Sequence, residues 1–559
     1  VQQGGGQGQQ GGQGQQGQQG QAAESSRVGI GGGARTGVMS GVLGGVLKAQ
    51  EEAAPPPPPP AAAAPPPPPP TVISNAAADR IVPPPRPNVN GYDQITDNPF
   101  IAVGREPLAT FSSNVDTASY ANVRRFLTQN QLPPKDAVRI EELINYFSYE
   151  YPQASGPNPI TANMEVAAAP WNPQHRLVRV GIKAKDIPMG QKPGNLVFLI
   201  DVSGSMSTPE RLPLLKSGLR LLVDKLTESD KVSIVTYAGA SGIALQPTSG
   251  DRKNDIMRVI ERLQAEGGTN GGAGIQTAYD MAVANFIRGG VNRVILATDG
   301  DFNIGITNQN DLVRLIEDKA KSGVFLTVLG FGNDFKDSTL VKLADKGHGN
   351  YAYIDGLNEA RKVLVEQMGS TLMTIARDVK IQVEFNPAQV TAYRLIGYEN
   401  RVLRAQDFNN DQKDSGDMGA GHTVTALFEV VPPGVDINVP GVDPLRYQPL
   451  PQPLARNAPV SNEMLNLKIR YKDPEASESR LLSVPLVDRG GSFVNASADF
   501  RFAAAVAGFG MILRDSPYKG TANIEWVIAT AANSRGADKN GYRQEFVGLA
   551  QRAAQIRGR

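Results

Sequence analysis

The sequence predicts an α/β protein in which a doubly wound, mainly parallel sheet is flanked by a small α+β module and by a β-sandwich-like module with helices. From residue 195 to about 372, short apolar runs alternate with helical patterns, which is typical of a parallel sheet with crossover helices. Two helical patterns and a strand pair precede this region. Beyond residue 377, apolar residues recur at every second position, which indicates half-buried antiparallel strands.

The N-terminal region is not expected to fold. Gly/Gln repeats lead into polyproline at residues 55–60 and 65–70, and such composition cannot bury enough apolar surface to offset chain entropy. The prolines predict a semi-rigid spacer, roughly 50 Å long. A ligand for a proline-recognising groove and a spacer across a cell-envelope layer are alternatives to a simple linker. The chain is thus divided into predicted regions 1–92, 93–190, 191–375 and 376–559.

The predicted α+β module begins with a strand at residues 109–112. Helical patterns follow at 117–129 and 135–147, and prolines separate them, as is common between helices. Residues 164–168 and 177–182 then read as an antiparallel pair joined through a Trp-Asn-Pro turn.

The central region opens with the apolar run Leu-Val-Phe-Leu-Ile at residues 196–200, which suits a buried strand of a parallel sheet. Leucines then recur at helical spacing, and Pro213 is tolerable only in the first turn, so a helix should begin near Arg211. The remaining predicted strands are 231–237, 293–299, 324–330 and 351–355, and the remaining predicted helices are 255–263, 275–286 and 359–372.

In the last region, residues 379–385 and 465–471 alternate as half-buried strands do. Apolar residues at helical spacing around 502–513 and 546–556 predict a helical tail that packs on this module or on the central domain.

Composition narrows the function. Lys and Arg total 56 and Asp and Glu 55, so no basic surplus points to nucleic acid or to an anionic membrane. Cysteine is absent and only three histidines occur, which excludes thiolate chemistry and limits imidazole catalysis. No apolar run approaches the roughly 20 residues of a membrane span. Because the first residue is Val, we expect a leader or a further domain upstream.

Three separated segments supply oxygen ligands. Asp201, Ser203 and Ser205 directly follow the first central strand, Thr269 lies in a Gly-rich loop, and Asp299 ends a later strand. Ligands of open α/β sheets bind beyond the carboxyl ends of the strands, and these oxygens suit a hard cation such as Mg²⁺. The alternative is that Asp201 and Ser203 merely cap a turn and a helix.

This set of residues resembles the metal-ion-dependent adhesion site of von Willebrand factor type A domains, whose fold is Rossmann-like. The resemblance implies that Ser203 and Ser205 are direct ligands of Mg²⁺, or of Mn²⁺ or Ca²⁺. It also implies that Thr269 is the threonine of the second loop, and that Asp201 and Asp299 act directly or through water. Segments 111–120, 171–173, 407–411 and 419–426 resemble the flanking modules of a bacterial subfamily, whose C-terminal module has no known function.

The resemblance implies a non-enzymatic protein-binding module that grips an Asp or Glu carboxylate of a protein partner. Two carboxylates and three neutral hydroxyls supply five oxygen ligands, which leaves a sixth position of an octahedral cation open to such a group. An extracytoplasmic location is expected, in the periplasm or on the outer surface of a bacterium, and a lipid anchor upstream would fit it. A cytoplasmic location is the alternative. A structural envelope or assembly protein with an incidental metal, and a metal-assisted hydrolase lacking an evident general base, are the alternative functions.

Overall fold

A computed structural model describes most of the chain beyond the N-terminal region. The residues described are 92–154, 156–187, 192–238, 241–267, 271–300, 309–332, 337–367, 373–413, 415–437, 439, 461–474 and 476–558. The predicted spacer at 1–92 lies outside them except for its last residue. In the described part, no helix is both long enough and apolar enough to cross a membrane.

The central domain contains the predicted doubly wound sheet. Its six strands lie in the order β10-β9-β8-β5-β6-β7, and every neighbouring pair is parallel except β6 and β7. All eight residues of β5 are buried, as a central strand covered on both faces requires. The strands are β5 (Gly194–Asp201), β6 (Lys231–Tyr237), β7 (Ser241–Ser249), β8 (Val291–Thr298), β9 (Phe325–Phe331) and β10 (Tyr351–Ile354).

Helices cover both faces of this sheet. Leu196, Phe198 and Ile200 of β5 belong to the core beneath α3, α4 and α8, while Val197 and Leu199 belong to the core beneath α5, α6 and α7. Pro213 lies in the first turn of α3, as predicted. The helices are α3 (Leu212–Val223), α4 (Lys253–Arg262), α5 (Gly271–Ala284), α6 (Gln309–Ala320), α7 (Asp337–Lys346) and α8 (Leu357–Arg361), which continues as a π-helical turn over Lys362–Glu366.

Strands from before and after the central domain pair with one another. One sheet has the order β1-β12-β15-β4-β3 and the other β13-β2-β11-β16-β17. The predicted pairing of β3 with β4 is confirmed, but β4 also pairs with β15, and β2 pairs with β11. The strands are β1 (Ile101–Ala102), β2 (Leu108–Ser112), β3 (Ile160–Ala169), β4 (Asn172–Ala184), β11 (Thr374–Phe385), β12 (Ala392–Ile396), β13 (Val402–Leu403), β14 (Gly416–Gly419), β15 (Thr423–Val431), β16 (Glu463–Lys472) and β17 (Ser479–Val487).

The two sheets share one apolar core, to which strands of both flanking regions contribute. The physical reason is that a two-stranded ribbon is at best marginally stable in water, so β3 and β4 need a further partner. The predicted boundaries near residues 92, 190 and 375 therefore mark segments of the chain, while the sandwich itself is built from both ends.

Five helices of the flanking regions form a separate apolar cluster beside the sandwich. Phe147, Phe502 and Phe546 meet edge to face there, with ring centroids 4.9 to 5.7 Å apart. The predicted helix at 135–147 is split into a 3₁₀ turn and α2, whereas the two predicted C-terminal helices are confirmed. The helices are α1 (Ala118–Thr128), α2 (Ile140–Asn145), α9 (Ala498–Arg514), α10 (Ile524–Ala532) and α11 (Tyr542–Arg557).

A buried guanidinium joins the central domain to both flanking regions. Arg124 of α1 contacts Asp355, which follows β10, at 2.5 Å and Glu359 of α8 at 2.7 Å. It also contacts Glu545 of α11 at 2.9 Å. Because one cation serves carboxylates from two other segments, these contacts hold the central domain against the helices of the flanking regions.

Candidate metal-ion centre

Asp201 ends β5 at the carboxyl edge of the central sheet, beside the ends of β6 and β8. Its side chain is fully buried. The Oδ1 atom accepts a hydrogen bond from the main-chain N–H of Ser203 at 2.9 Å. The Oδ2 atom accepts hydrogen bonds from the hydroxyls of Tyr237 and Thr298, each at 3.1 Å. Neighbouring strands therefore fix the orientation of this carboxylate.

The charge of Asp201 is undercompensated by the groups around it. Burial raises the pKa of Asp201 above its ordinary value, and the nearby carboxylate of Asp299 acts in the same direction. Hydrogen bonds from Ser203 and Tyr237 oppose the rise without cancelling it. A bound cation would favour the charged form, so the electrostatics of this position fit a cation site.

Ser203 and Ser205 place two hydroxyls next to this carboxylate. Their Oγ atoms lie 3.0 Å apart across the start of a 3₁₀ turn, Gly204–Ser207. Ser203 is buried and Ser205 is exposed, so the pair reaches from the interior to the surface. The alternating Asp-x-Ser-x-Ser spacing brings three oxygen-bearing side chains to one edge of the sheet, as the sequence predicts.

The second predicted loop approaches the serine turn through its main chain. The N–H of Gly204 donates to the carbonyl of Gly267 at 3.2 Å, and the N–H of Glu266 donates to the carbonyl of Val202 at 2.8 Å. Thr269 itself lies outside the described residues, so its role as a ligand stays a prediction.

Asp299 follows β8 and is buried, with its carboxylate engaged by a residue that the sequence did not single out. Nη1 of Arg211 lies 2.7 Å from Oδ2 of Asp299 and also donates to the carbonyl of Ser205 at 2.8 Å. In the sequence, Arg211 signals only the start of α3. A lone arginine before a helix carries no pattern that would link it to an acid 88 positions further along.

These donors are of the type that Mg²⁺ prefers, namely carboxylate and hydroxyl oxygens. Within the described ranges, no group of three or more His, Cys, Asp or Glu side chains forms a metal site, so softer metals have no comparable cluster there. Asp201, Ser203, Ser205 and Asp299 would hold the cation, together with the predicted ligand Thr269.

Family models match three consecutive parts of the chain. The von Willebrand factor type A domain matches residues 195–367, and a model described as von Willebrand factor matches residues 86–179. The C-terminal region of the uncharacterized protein YfbK matches residues 370–556.

Two proteins and one solved structure are similar to this chain over more than half of its length. The uncharacterized protein YfbK of Escherichia coli (strain K12) is 48% identical over 477 residues, which cover 84% of this chain and 81% of that protein. The uncharacterized protein sll0103 of Synechocystis is 27% identical over 327 residues, covering 57% of this chain and 71% of that protein. A solved structure, described as von Willebrand factor type A from Catenulispora acidiphila, has a TM-score of 0.38 at 16% identity and covers 71% of this chain and 92% of that one.

Type A domains generally serve protein–protein interaction or adhesion, commonly with a divalent metal ion, and proteins that contain them are typically not enzymes. Because the YfbK match is extensive in both chains and the type A match covers the whole central sheet, the protein belongs to the YfbK family of von Willebrand factor type A domain proteins.

Proposed function

We propose that the protein is a Mg²⁺-dependent protein-binding module of the bacterial cell envelope. Asp201, Ser203, Ser205, Thr269 and Asp299 hold the cation, and an Asp or Glu carboxylate of a protein partner completes its coordination. The observation that carries the proposal is the buried carboxylate of Asp201, which three hydrogen bonds orient at the sheet edge beside two serine hydroxyls.

The exposure of the side chains changes across the candidate centre in a way that would let a partner reach a bound cation from solvent. Asp201 and Asp299 are buried, whereas Gly204 and Ser205 are exposed. A cation held by the buried carboxylates would therefore have an outward side that a partner can reach. When bound, the cation supplies a positive charge that an acidic side chain can ligate.

The placement of the histidines supports a binding role over hydrolysis. His175 pairs with Glu429 in the sandwich at 2.6 Å, and His422 lies in the loop before β15. His348 precedes β10 and therefore lies at the amino-terminal ends of the parallel strands, whereas Asp201 lies at their carboxyl ends. No imidazole is therefore placed to act as a general base for water at the serine hydroxyls.

Calorimetric titration of the folded chain with Mg²⁺ and Mn²⁺ tests the proposal. We expect Ser203→Ala to abolish cation binding, because it removes a direct hydroxyl ligand, while the domain stays folded in chelator. Ser217→Ala is the matched control, since Ser217 is an exposed residue of α3 whose hydroxyl donates to the carbonyl of Pro213. Undiminished Mg²⁺ affinity of Ser203→Ala would reject the site.

The partner and the location are tested separately. Cross-linking of the natural gene product in intact bacterial cells, with Mg²⁺ or with chelator, should capture partners only with Mg²⁺. Identical partners in both conditions would favour a structural assembly role with an incidental metal. Protease can be added to cells whose outer layer is permeabilised while the inner membrane stays intact. Protection of the domain under these conditions would place it in the cytoplasm.

A further inference from the structure

Arg211 lies at the edge of the candidate metal centre, where its guanidinium has hydrogen-bond acceptors and space to fit. Its Nη1 atom bridges the carboxylate of Asp299 and the main-chain carbonyl of Ser205, at 2.7 and 2.8 Å. The arginine side chain is only 12% exposed and that of Asp299 only 2%. This ion pair is therefore largely shielded from solvent. Charge interactions in such a position are stronger than at an open surface.

Gly332, directly after β9, leaves the room that the guanidinium occupies. A Cβ atom at Gly332 would overlap Nε of Arg211, and the glycine has a φ of +82°, which L side chains rarely adopt. The carbonyl of Gly332 accepts a hydrogen bond from the hydroxyl of Tyr353 at 2.6 Å, which fixes the backbone there. Two further segments of the central domain thus support the arginine in place.

The charge of Arg211 changes what the centre attracts. Asp201, Asp299 and Arg211 together carry one net negative charge, which becomes one net positive charge after a divalent cation binds. Without the arginine the same centre would carry two negative charges and would become neutral with the cation. Repulsion between the guanidinium and the cation should weaken cation binding, and the residual positive charge should favour an anionic ligand.

We propose that Arg211 is a specificity-determining residue of this centre, a tethered cation that weakens metal binding in the free protein and strengthens the grip of the metal-loaded protein on a carboxylate. The proposal rests on the proposed function of the same site.

The test measures two affinities in the full chain. Mn²⁺ affinity is measured by calorimetry, and acetate affinity of the Mn²⁺-loaded protein by paramagnetic broadening of the acetate methyl resonance, with acetamide as the neutral probe. For Arg211→Gln we expect Mn²⁺ binding to tighten by roughly tenfold and acetate binding to weaken by about fivefold. Acetamide should be unaffected.

Two variants separate charge from structure. Arg211→Lys keeps the positive charge, so both affinities should remain within about threefold of the wild type. Arg220→Gln, which removes an exposed ion pair between Arg220 of α3 and Glu261 of α4, should change neither affinity. If Arg211→Gln does not fold, Gly332→Ala displaces the guanidinium and should shift both affinities in the same directions.

Each outcome decides the proposal. Weaker or unchanged Mn²⁺ binding in Arg211→Gln would overturn it, as would a lysine variant that behaves like the glutamine variant. If the wild type binds Mn²⁺ but acetate binding does not weaken in Arg211→Gln, this proposal alone is overturned. Wild-type protein that binds no Mn²⁺ overturns the proposed function and this inference together.

Discussion

The hydroxyl of Tyr237 donates a hydrogen bond to Oδ2 of Asp201 where β6 and β5 end side by side. Both residues are buried. The tyrosine therefore belongs to the support of the candidate metal centre, although its position in an apolar strand gives no sign of that in the sequence.

Tyr237→Phe should lower the free energy of unfolding by about 1 kcal/mol, because the buried carboxylate loses one of its donors. Urea denaturation in chelator measures the effect. Tyr279→Phe is the matched control, since the hydroxyl of Tyr279 is buried without a hydrogen-bond partner among the described residues. Its removal should be neutral or stabilising. Equal losses in both variants would contradict a specific role for the Tyr237 hydroxyl.

Gly332→Ala should destabilise the protein by more than Gly434→Ala. Both glycines have φ values above +80°, but a Cβ at Gly434 meets nothing within 4 Å, whereas one at Gly332 overlaps Arg211. Backbone strain alone should cost about 1 kcal/mol at each position. The excess loss in Gly332→Ala, measured by urea denaturation, reports the displacement of the guanidinium. Equal losses would show that Arg211 relocates freely.

Arg124→Met should lower the free energy of unfolding by at least about 3 kcal/mol, because it leaves Glu359 and its neighbours as buried, unpaired acids. Lys135→Met breaks an exposed pair with Asp515 and should cost less than about 1 kcal/mol. Chemical denaturation followed by tryptophan fluorescence checks both values. A small loss in Arg124→Met would mean that these acids are already neutral in the native protein.

Lys362 should make stability depend on pH. Its Nζ donates to the carbonyl of Tyr146 at 2.6 Å and lies against that ring. Burial lowers the pKa of Lys362 to about 7, against the attraction of Glu359. Between pH 7 and the ordinary pKa of lysine, the unfolded chain then binds more protons than the folded protein. The lysine therefore makes the free energy of unfolding rise with pH in that window.

The comparison of wild type with Lys362→Met isolates this effect. From pH 7 to pH 9, the free energy of unfolding of the wild type should rise by about 2 kcal/mol relative to the variant. Denaturation curves at three pH values measure the difference. Lys346→Met, which alters an exposed lysine, should run parallel to the wild type. Parallel curves for Lys362→Met would show that the buried amine stays charged.

The central sheet and the convergence of the candidate ligands follow from local patterns. Buried apolar runs mark the parallel strands, and parallel strands that end together bring Asp201 and Asp299 to one edge. The edge strand β7 was not predicted, because only two of its nine residues are buried and Gly242 and Pro247 interrupt the apolar pattern. Helix α10 was also missed, since seven of its nine residues are apolar and no polar face marks a helical period.

The remaining features depend on partners that are distant in sequence. Pairing of β2 with β11 and of β4 with β15 leaves no local signature, because each strand only shows that one of its faces is buried. The ion pair of Arg211 with Asp299 is of the same kind. Such contacts are set by the way the chain folds back on itself, which the spacing of apolar residues does not encode.

The shared sheets also dictate an order of assembly during protein synthesis. Gln382 of β11 donates a hydrogen bond to Thr110 of β2, 272 positions earlier. At 5–20 residues per second, the ribosome needs roughly 15 to 55 seconds to deliver the later strand. The whole central domain is synthesised in that interval, and during it β2 still lacks its partner β11. The sheets that contain the earliest strands of the fold can therefore be completed only after the central domain has been made.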